Sequence, residues 1–382
     1  MPDYDQPSES DHPLDLRRWP DIEADNLFAV DAADRLILDE AAPFLAGTAP
    51  GQVVVIGDNY GALTLGAIDR FGLADIRVHQ DRALGEQALD ANADALGISG
   101  YRHLSLDAEL LSDATVVLLR LPRSLDALDE IASLIAGFAD ASTVVIAGGR
   151  IKHLTPAMND VLLRHFGRLD VTHARQKARV LIARESRGAG ASISSYPHRE
   201  FHADLGIWIC AHGGAFAGTK VDIGTRFLLE VTDQMKVDAT SAIDLGSGTG
   251  LIAAALALRR PEITVIATDQ SAVAVASTRA TAEANGVSDR VTAVRDIGLS
   301  NQPDASADLI LLNPPFHIEG TVHLGEALRL FEDAGRVLRP GGELWTVFNS
   351  NLGYRSTLSR VVGPTRQVAR NTKFSVMVST RE

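Results

Sequence analysis

Two stretches of the chain, on the order of 190 residues apart, follow one plan. Gln52-Val53-Val54-Val55-Ile56-Gly57-Asp58 reads as an apolar strand that opens into Asn59-Tyr60-Gly61 and a helix rich in Ala and Leu. Ala242-Ile243-Asp244-Leu245 likewise enters Gly246-Ser247-Gly248-Thr249-Gly250 and a helix to about Arg260. In each copy the next strand ends in an acid, Asp81 in the first and Asp269 in the second. Laid on each other, Gly61 meets Gly250 at an offset of 189, Asp81 meets Asp269 at 188, Arg120 meets Asn313 at 193, and Lys177 meets Lys373 at 196. A repeat on this scale predicts two domains of one architecture. Strands that alternate with helices of about 10–15 residues predict a parallel, doubly wound sheet in each. The fold class is therefore α/β, with two tandem Rossmann-like domains.

Further along the first copy come a helix over Ala83–Leu96 and strands at Ala114–Leu119 and Thr143–Ala147. The small, polar run Arg187-Gly188-Ala189-Gly190-Ala191-Ser192-Ile193-Ser194-Ser195 is the best linker. The expected partition is a poorly ordered acidic segment over 1–25, a first domain over 26–190, a linker over 191–205 and a second domain over 206–382. In the second copy, a third strand Val291–Arg295 ends at Asp296, and a fourth is Leu309–Leu312. A helix Glu326–Leu338, a turn at Pro340-Gly341-Gly342, a strand Glu343–Phe348 and a hairpin around Asn371-Thr372 complete it.

The copies differ where chemistry would sit. Asp244 is replaced by Val55, Gly248 by Asn59, Asn313 by Arg120 and Phe316 by Arg123. The first copy keeps the scaffold and loses the chemistry. In the second, the strand Leu309–Leu312 runs into Asn313-Pro314-Pro315-Phe316-His317. Proline has no N–H for the ladder, so the strand stops at Asn313, at the carboxyl edge where open α/β sheets bind ligands. The Asn313 side-chain oxygen and the Pro314 carbonyl can each accept an N–H, and Phe316 can stack on a planar ring. This set suits a planar substrate that bears an NH2 group. His317 can contact such a substrate or cap the loop.

The glycine turn at Gly246, Gly248 and Gly250, with Ser247 between, lets a ligand approach backbone at a helix N-terminus. Asp269 follows Gly250 by 19 residues and can accept from both hydroxyls of a ribose. That leaves NAD or an adenosyl ligand. Asp296 can receive an adenine amino group, and Asp244 can orient the loop and face an α-ammonium. No lysine follows the glycines as in a P-loop.

The net charge of −13 argues against nucleic acid as a partner, so its distribution matters. From residue 201 onward 17 Lys and Arg face 19 Asp and Glu, so the first 200 residues carry 19 against 30. Two stretches run the other way, Arg150–Arg187 and Arg355–Arg381, the latter with six bases and no acid. The single Cys210 excludes an internal disulfide and a thiolate zinc cluster, and no metal is expected. No apolar run is long enough for a bilayer, and the acidic N-terminus has no apolar signal region. The expected compartment is the cytoplasm.

Gly214-Ala215-Phe216-Ala217-Gly218-Thr219-Lys220-Val221-Asp222-Ile223-Gly224-Thr225, the glycine loop and Asn313-Pro314-Pro315-Phe316-His317 together resemble the class I S-adenosylmethionine-dependent methyltransferases. Within them the chain is similar to the ribosomal RNA guanine-N2 methyltransferases of the RsmC/RlmG type, over nearly its whole length. Gly57-Asp58-Asn59-Tyr60-Gly61-Ala62-Leu63 and Lys177-Ala178-Arg179 look nearer to the large-subunit enzyme. The resemblance implies S-adenosylmethionine as cofactor, ribosomal RNA as partner and a degenerate first domain. It also places Phe216 and Thr225 near the active site, with Pro315 and His317 on the substrate side. Arg120 and Arg123 then suggest an RNA-holding surface on the first domain, and the chain is expected to be a monomer or weak dimer. Other amines stay open, DNA adenine N6 or a protein glutamine amide, as does a non-catalytic RNA-binding assembly factor.

Overall fold

The structure, a computed structural model, describes residues 14–188, 195–314 and 322–382. Two compact units divide after Ser195. In the first, seven strands form one sheet: β1 (Val53–Ile56), β2 (Ile76–His79), β3 (Tyr101–His103), β4 (Val116–Arg120), β5 (Val144–Arg150), β6 (Phe166–Val171) and β7 (Ala178–Ser186). Their order is β3-β2-β1-β4-β5-β7-β6, parallel from β3 through β5 and antiparallel at β7. Helices α1 (Ala32–Leu45), α2 (Ala62–Phe71), α3 (Ala83–Leu96), α4 (Ala108–Leu111), α5 (Leu125–Phe138) and α6 (Pro156–His165) accompany it. β1 is apolar throughout because both sheet faces are covered. Val53 and Val55 join a core with Ile37 of α1 and Leu63 of α2, whereas Val54 and Ile56 join another with Leu128 of α5 and Leu162 of α6.

The second unit opens with a hairpin, β8 (His198–His202) and β9 (Ile207–Ala211). Its main sheet holds β10 (Ser241–Leu245), β11 (Thr264–Asp269), β12 (Val291–Arg295), β13 (Ala307–Leu312), β14 (Leu338–Asn349), β15 (Thr365–Arg370) and β16 (Phe374–Thr380). The order β12-β11-β10-β13-β14-β16-β15 repeats that of the first sheet strand for strand. Helices α7 (Ile223–Leu229), α8 (Leu251–Arg259), α9 (Ala272–Ala284), α10 (Val322–Val337) and α11 (Arg355–Val361) accompany it. Leu309 and Leu311 of β13 pack with Leu256 of α8, and Ile310 and Leu312 with Phe331 of α10. Two tandem α/β domains of one topology are thus present, as the repeat predicts. Among the described residues, no helix is long and apolar enough to cross a membrane.

Three expectations need correction. Residues 14–25 are not a loose tail, because the Asn92 side chain accepts the Arg17 backbone N–H at 2.9 Å and donates to the Arg17 carbonyl at 2.8 Å. Asn285 clamps the Trp208 backbone in the same way, at 2.9 and 2.8 Å, so this segment belongs to the repeat. Residues 191–205 are not all linker, since 198–202 form β8 and pair with β9. Finally, Pro340-Gly341-Gly342 does not separate two elements. β14 runs through it, with a register shift against β13 between Ala307 and Leu309 and Gly341 at φ 76°. Positive φ at a glycine lets one strand absorb a bulge without ending.

Candidate active site

β10 delivers the chain to the glycine turn, and Gly250 enters α8 at φ 75°. A Cβ there would lie 2.7 Å from Thr278 Cγ2, so only glycine fits between loop and helix α9. At Gly248, φ is 55° and a Cβ would meet nothing within 4 Å, which leaves the loop open to a ligand on that side. The loop is braced from below. Gly246 and Ser247 both donate to the Thr268 carbonyl, at 2.8 and 2.9 Å, and Thr278 Oγ1 donates to the Gly248 carbonyl at 3.2 Å.

Asp244 is fully buried, and its Oδ2 accepts the Ala253 N–H of α8 at 3.0 Å. Its Oδ1 has no partner among the described residues. Burial, with a smaller push from Asp269, raises this carboxyl to about 7 despite the Ala253 bond. Asp269 is half-buried at the end of β11, and its Oδ2 accepts the Gly248 N–H at 3.0 Å while Oδ1 accepts that of Ser271 at 2.9 Å. It therefore fixes the loop on which an adenosyl ligand would lie. Asp296 is buried, and both its oxygens serve the following turn: Oδ2 accepts from the Asn301 N–H at 3.0 Å, and Oδ1 from Asn301 Nδ2 and Ser300.

Asn313 stands at the end of β13, half-buried, with Pro314 buried behind it. Its Nδ2 donates to Asp222 Oδ2 at 3.0 Å and to Thr225 Oγ1 at 2.9 Å. Its Oδ1 is buried and has no partner among the described residues. Asp222 caps α7, accepting the Thr225 N–H at 3.0 Å. Thr225 is thus a partner of Asn313, and the residue that sequence reasoning passed over is Asp222. The signal was the offset: Asp222 lies 191 after Asp31, the spacing that also relates Trp208 to Arg17. Phe216 is 62% exposed on the turn before α7. Pro315, Phe316 and His317 lie outside the described residues.

The same place in the first unit holds something else. Arg120 ends β4, and its Nη1 donates to Asp31 Oδ1 at 2.8 Å and Asp34 Oδ1 at 2.7 Å; Nη2 donates to Asp31 Oδ2 at 3.1 Å. Asp31 caps α1 through a capping box with Asp34. Burial raises the Asp34 carboxyl to about 7 against the pull of Arg120, whereas at Asp31 burial is outweighed by the guanidinium and the carboxyl falls. Arg120 is therefore engaged by acids of its own unit. It neutralises two acids in the former active-site mouth.

Arg123 is exposed, together with Arg150 at the end of β5 and Lys152 just after it. None of the three has an ion pair among the described residues. Partial burial and then the charges of Arg123, Lys152 and Arg150 hold His153 below its usual pKa.

Residues 5–187 match the RLMG N-terminal domain family and residues 206–378 the methyltransferase small domain family. The chain is 36% identical to ribosomal RNA large subunit methyltransferase G of Streptomyces avermitilis, across 95% of both chains. The chain belongs to this methyltransferase family. The methyltransferase G of Pseudomonas paraeruginosa is 34% identical over 95% of this chain and 96% of its own. A solved structure, the Thermus thermophilus 16S rRNA N2 G1207 methyltransferase RsmC with AdoMet and guanosine, superposes with a TM-score of 0.74 at 20% identity, over 92% of each chain. That likeness fixes the fold: two class I methyltransferase units, of which the first has Asn59 for the central glycine of the loop and Arg120 for the strand-end asparagine.

Proposed function

We propose that the chain is a cytoplasmic enzyme that transfers a methyl group from S-adenosylmethionine to the exocyclic N2 amine of a guanine in large-subunit ribosomal RNA. The observation that carries this reading is Asn313 Oδ1, a buried acceptor with no partner among the described residues, beside an open glycine loop. A buried carbonyl left unpaired costs about 1–3 kcal/mol, which an incoming N–H removes. Gly246, Ser247, Gly248 and Asp269 would hold the adenosyl ligand, with Asp244 bracing the loop from beneath and Asp296 bracing the turn beyond β12. The bound cofactor supplies an electrophilic methyl on sulfonium sulfur. The chain supplies orientation. Guanine N2 is a weak nucleophile because its lone pair is delocalised into the ring. Asn313 Oδ1 and the Pro314 carbonyl would accept its two N–H groups, letting nitrogen rehybridise toward the methyl. As the N–C bond forms the methyl–sulfur bond would break to leave a neutral thioether, and the proton would then pass from nitrogen to solvent water.

Offered tritiated S-adenosylmethionine with deproteinised rRNA, DNA and release-factor protein in parallel, the enzyme should label guanine N2 of large-subunit rRNA. Label confined to DNA or protein would overturn the reading. The cofactor assignment has its own measurement. Asp269→Ala should abolish detectable S-adenosylmethionine binding by titration calorimetry, while Asp81→Ala leaves it intact. The reverse pattern would exchange the roles of the two units.

The exposed cations of the first unit fit rRNA phosphate, for which arginine is suited. Changing Arg123, Arg150 and Lys152 together to alanine should raise the KM for rRNA. The slope of log binding constant against log salt should become shallower by about 2, from roughly 0.7–0.9 per lost phosphate contact. Cofactor binding should not change. An unaltered salt slope would remove these residues from the RNA surface.

A further inference from the structure

We infer that Asp222 is a positioning residue that fixes which end of the Asn313 amide faces the substrate. The inference rests on the reading that Asn313 Oδ1 accepts an N–H of the reacting amine. An asparagine amide is nearly symmetric in shape and opposite in chemistry at its two ends: the oxygen only accepts and the nitrogen only donates. Rotation by half a turn would present NH2 to the amine, a donor facing a donor. Something must forbid it. Asp222 Oδ2 lies 3.0 Å from Asn313 Nδ2, and a carboxylate oxygen accepts only. The flipped amide would set Asn313 Oδ1 against that oxygen and leave it without a hydrogen bond. Thr225 Oγ1, 2.9 Å away, does not discriminate, because a hydroxyl can donate or accept.

Asp222 is itself held, since its Oδ2 also accepts the Thr225 N–H at 3.0 Å as the cap of α7. Gly224 leaves room for this contact: a Cβ there would lie 3.0 Å from Asp222 Oδ2. The first unit supplies an independent view of the device. Asp31, offset 191 from Asp222, also caps the helix and grips the side chain that ends the fourth strand, there Arg120. The cap acid holds whatever the strand end presents, and in the second unit it holds an amide in one sense. A negative carboxylate on its N–H also polarises the amide, making Oδ1 a stronger acceptor as positive charge grows on the attacking nitrogen.

The test is Asp222→Asn in the full-length protein, with tritiated S-adenosylmethionine and large-subunit rRNA. Asparagine caps helices as well as aspartate does, and because one atom, Oδ2, both caps Thr225 and holds Asn313, its side-chain oxygen keeps that acceptor while the charge is lost. Turnover should fall by about 10-fold, with the KM values for cofactor and RNA and the melting temperature unchanged. Asp222→Ser also caps but sets a shorter hydroxyl there, which can donate as well as accept, so its turnover should fall further, by about 10- to 100-fold. In the Asn313→Ala background, Asp222→Asn should lower the residual turnover no further, because its effect passes through that amide. Wild-type turnover in both Asp222 variants, with Asn313→Ala inactive, would sink the positioning role and leave the functional reading standing. Full activity of Asn313→Ala would sink that reading itself. A loss of turnover matched by falls in melting temperature and cofactor affinity, or additive with Asn313→Ala, would make Asp222 structural only.

Discussion

Asn313→Ala should lower turnover by roughly 10²–10³-fold, the loss seen when one fixed hydrogen-bonding group is removed from a reacting centre. S-adenosylmethionine affinity should stay within a small factor of wild type. The two effects separate because the contacts do not overlap. Gly248 is held by Asp269 and Thr278, and Asp244 by Ala253; none of them bonds to Asn313. The fold should also survive. Asp222 still caps α7 through the Thr225 N–H, and Asn313 is only half-buried, so the two lost hydrogen bonds cost about 1 kcal/mol each. Single-turnover rates beside calorimetric cofactor binding would decide the point. A proportionate loss of rate and affinity would make Asn313 a structural residue.

What could be read from the chain beforehand followed from local chemistry. The buried aliphatic runs at Val53–Ile56 and Leu309–Leu312 specify central strands, because their alternate residues fill two cores at once. The glycine loop and Asp269 were legible since the loop needs positive φ and the acid lies at a strand end. Partners distant in sequence were not legible. Asn313 to Asp222 spans 91 residues and Arg120 to Asp31 spans 89, and no periodicity reports such contacts. Charge alone did not report that Arg120, an arginine at the crevice edge, pairs with Asp31 and Asp34 of α1 and its cap. Residues 14–25 read as solvated tail, yet Asn92 ties Arg17 down through backbone groups that carry no side-chain signature.

The ion pairs of Arg120 support a stability prediction. Arg120→Met removes the cation and leaves Asp31 and Asp34 facing each other at a partly buried site. Breaking one side of such a pair costs about 3–5 kcal/mol when fully buried; with the Arg120 side chain 19% exposed, about 3 kcal/mol is expected. For a unit of this size that lowers its melting transition by roughly 6–12 °C. The pH dependence has a definite sign. Folding raises the Asp34 carboxyl from 3.8 to about 7, so the folded state holds an extra proton between those values. Stability from this group is greatest below 3.8 and falls as pH rises toward 7. Without Arg120 the carboxyl rises further, so the deficit of Arg120→Met should be largest above pH 7 and should shrink toward pH 5. Asp31 works oppositely, since its lowered carboxyl is lost only as pH falls below 3.8. Adding Asp31→Asn and Asp34→Asn to Arg120→Met should restore most of the stability, because exchanging a whole ionic set is far less costly than orphaning its acids. Through all of this the salt slope of RNA binding should match wild type. A pH-independent deficit, or a shallower salt slope in Arg120→Met, would return this arginine to the RNA surface.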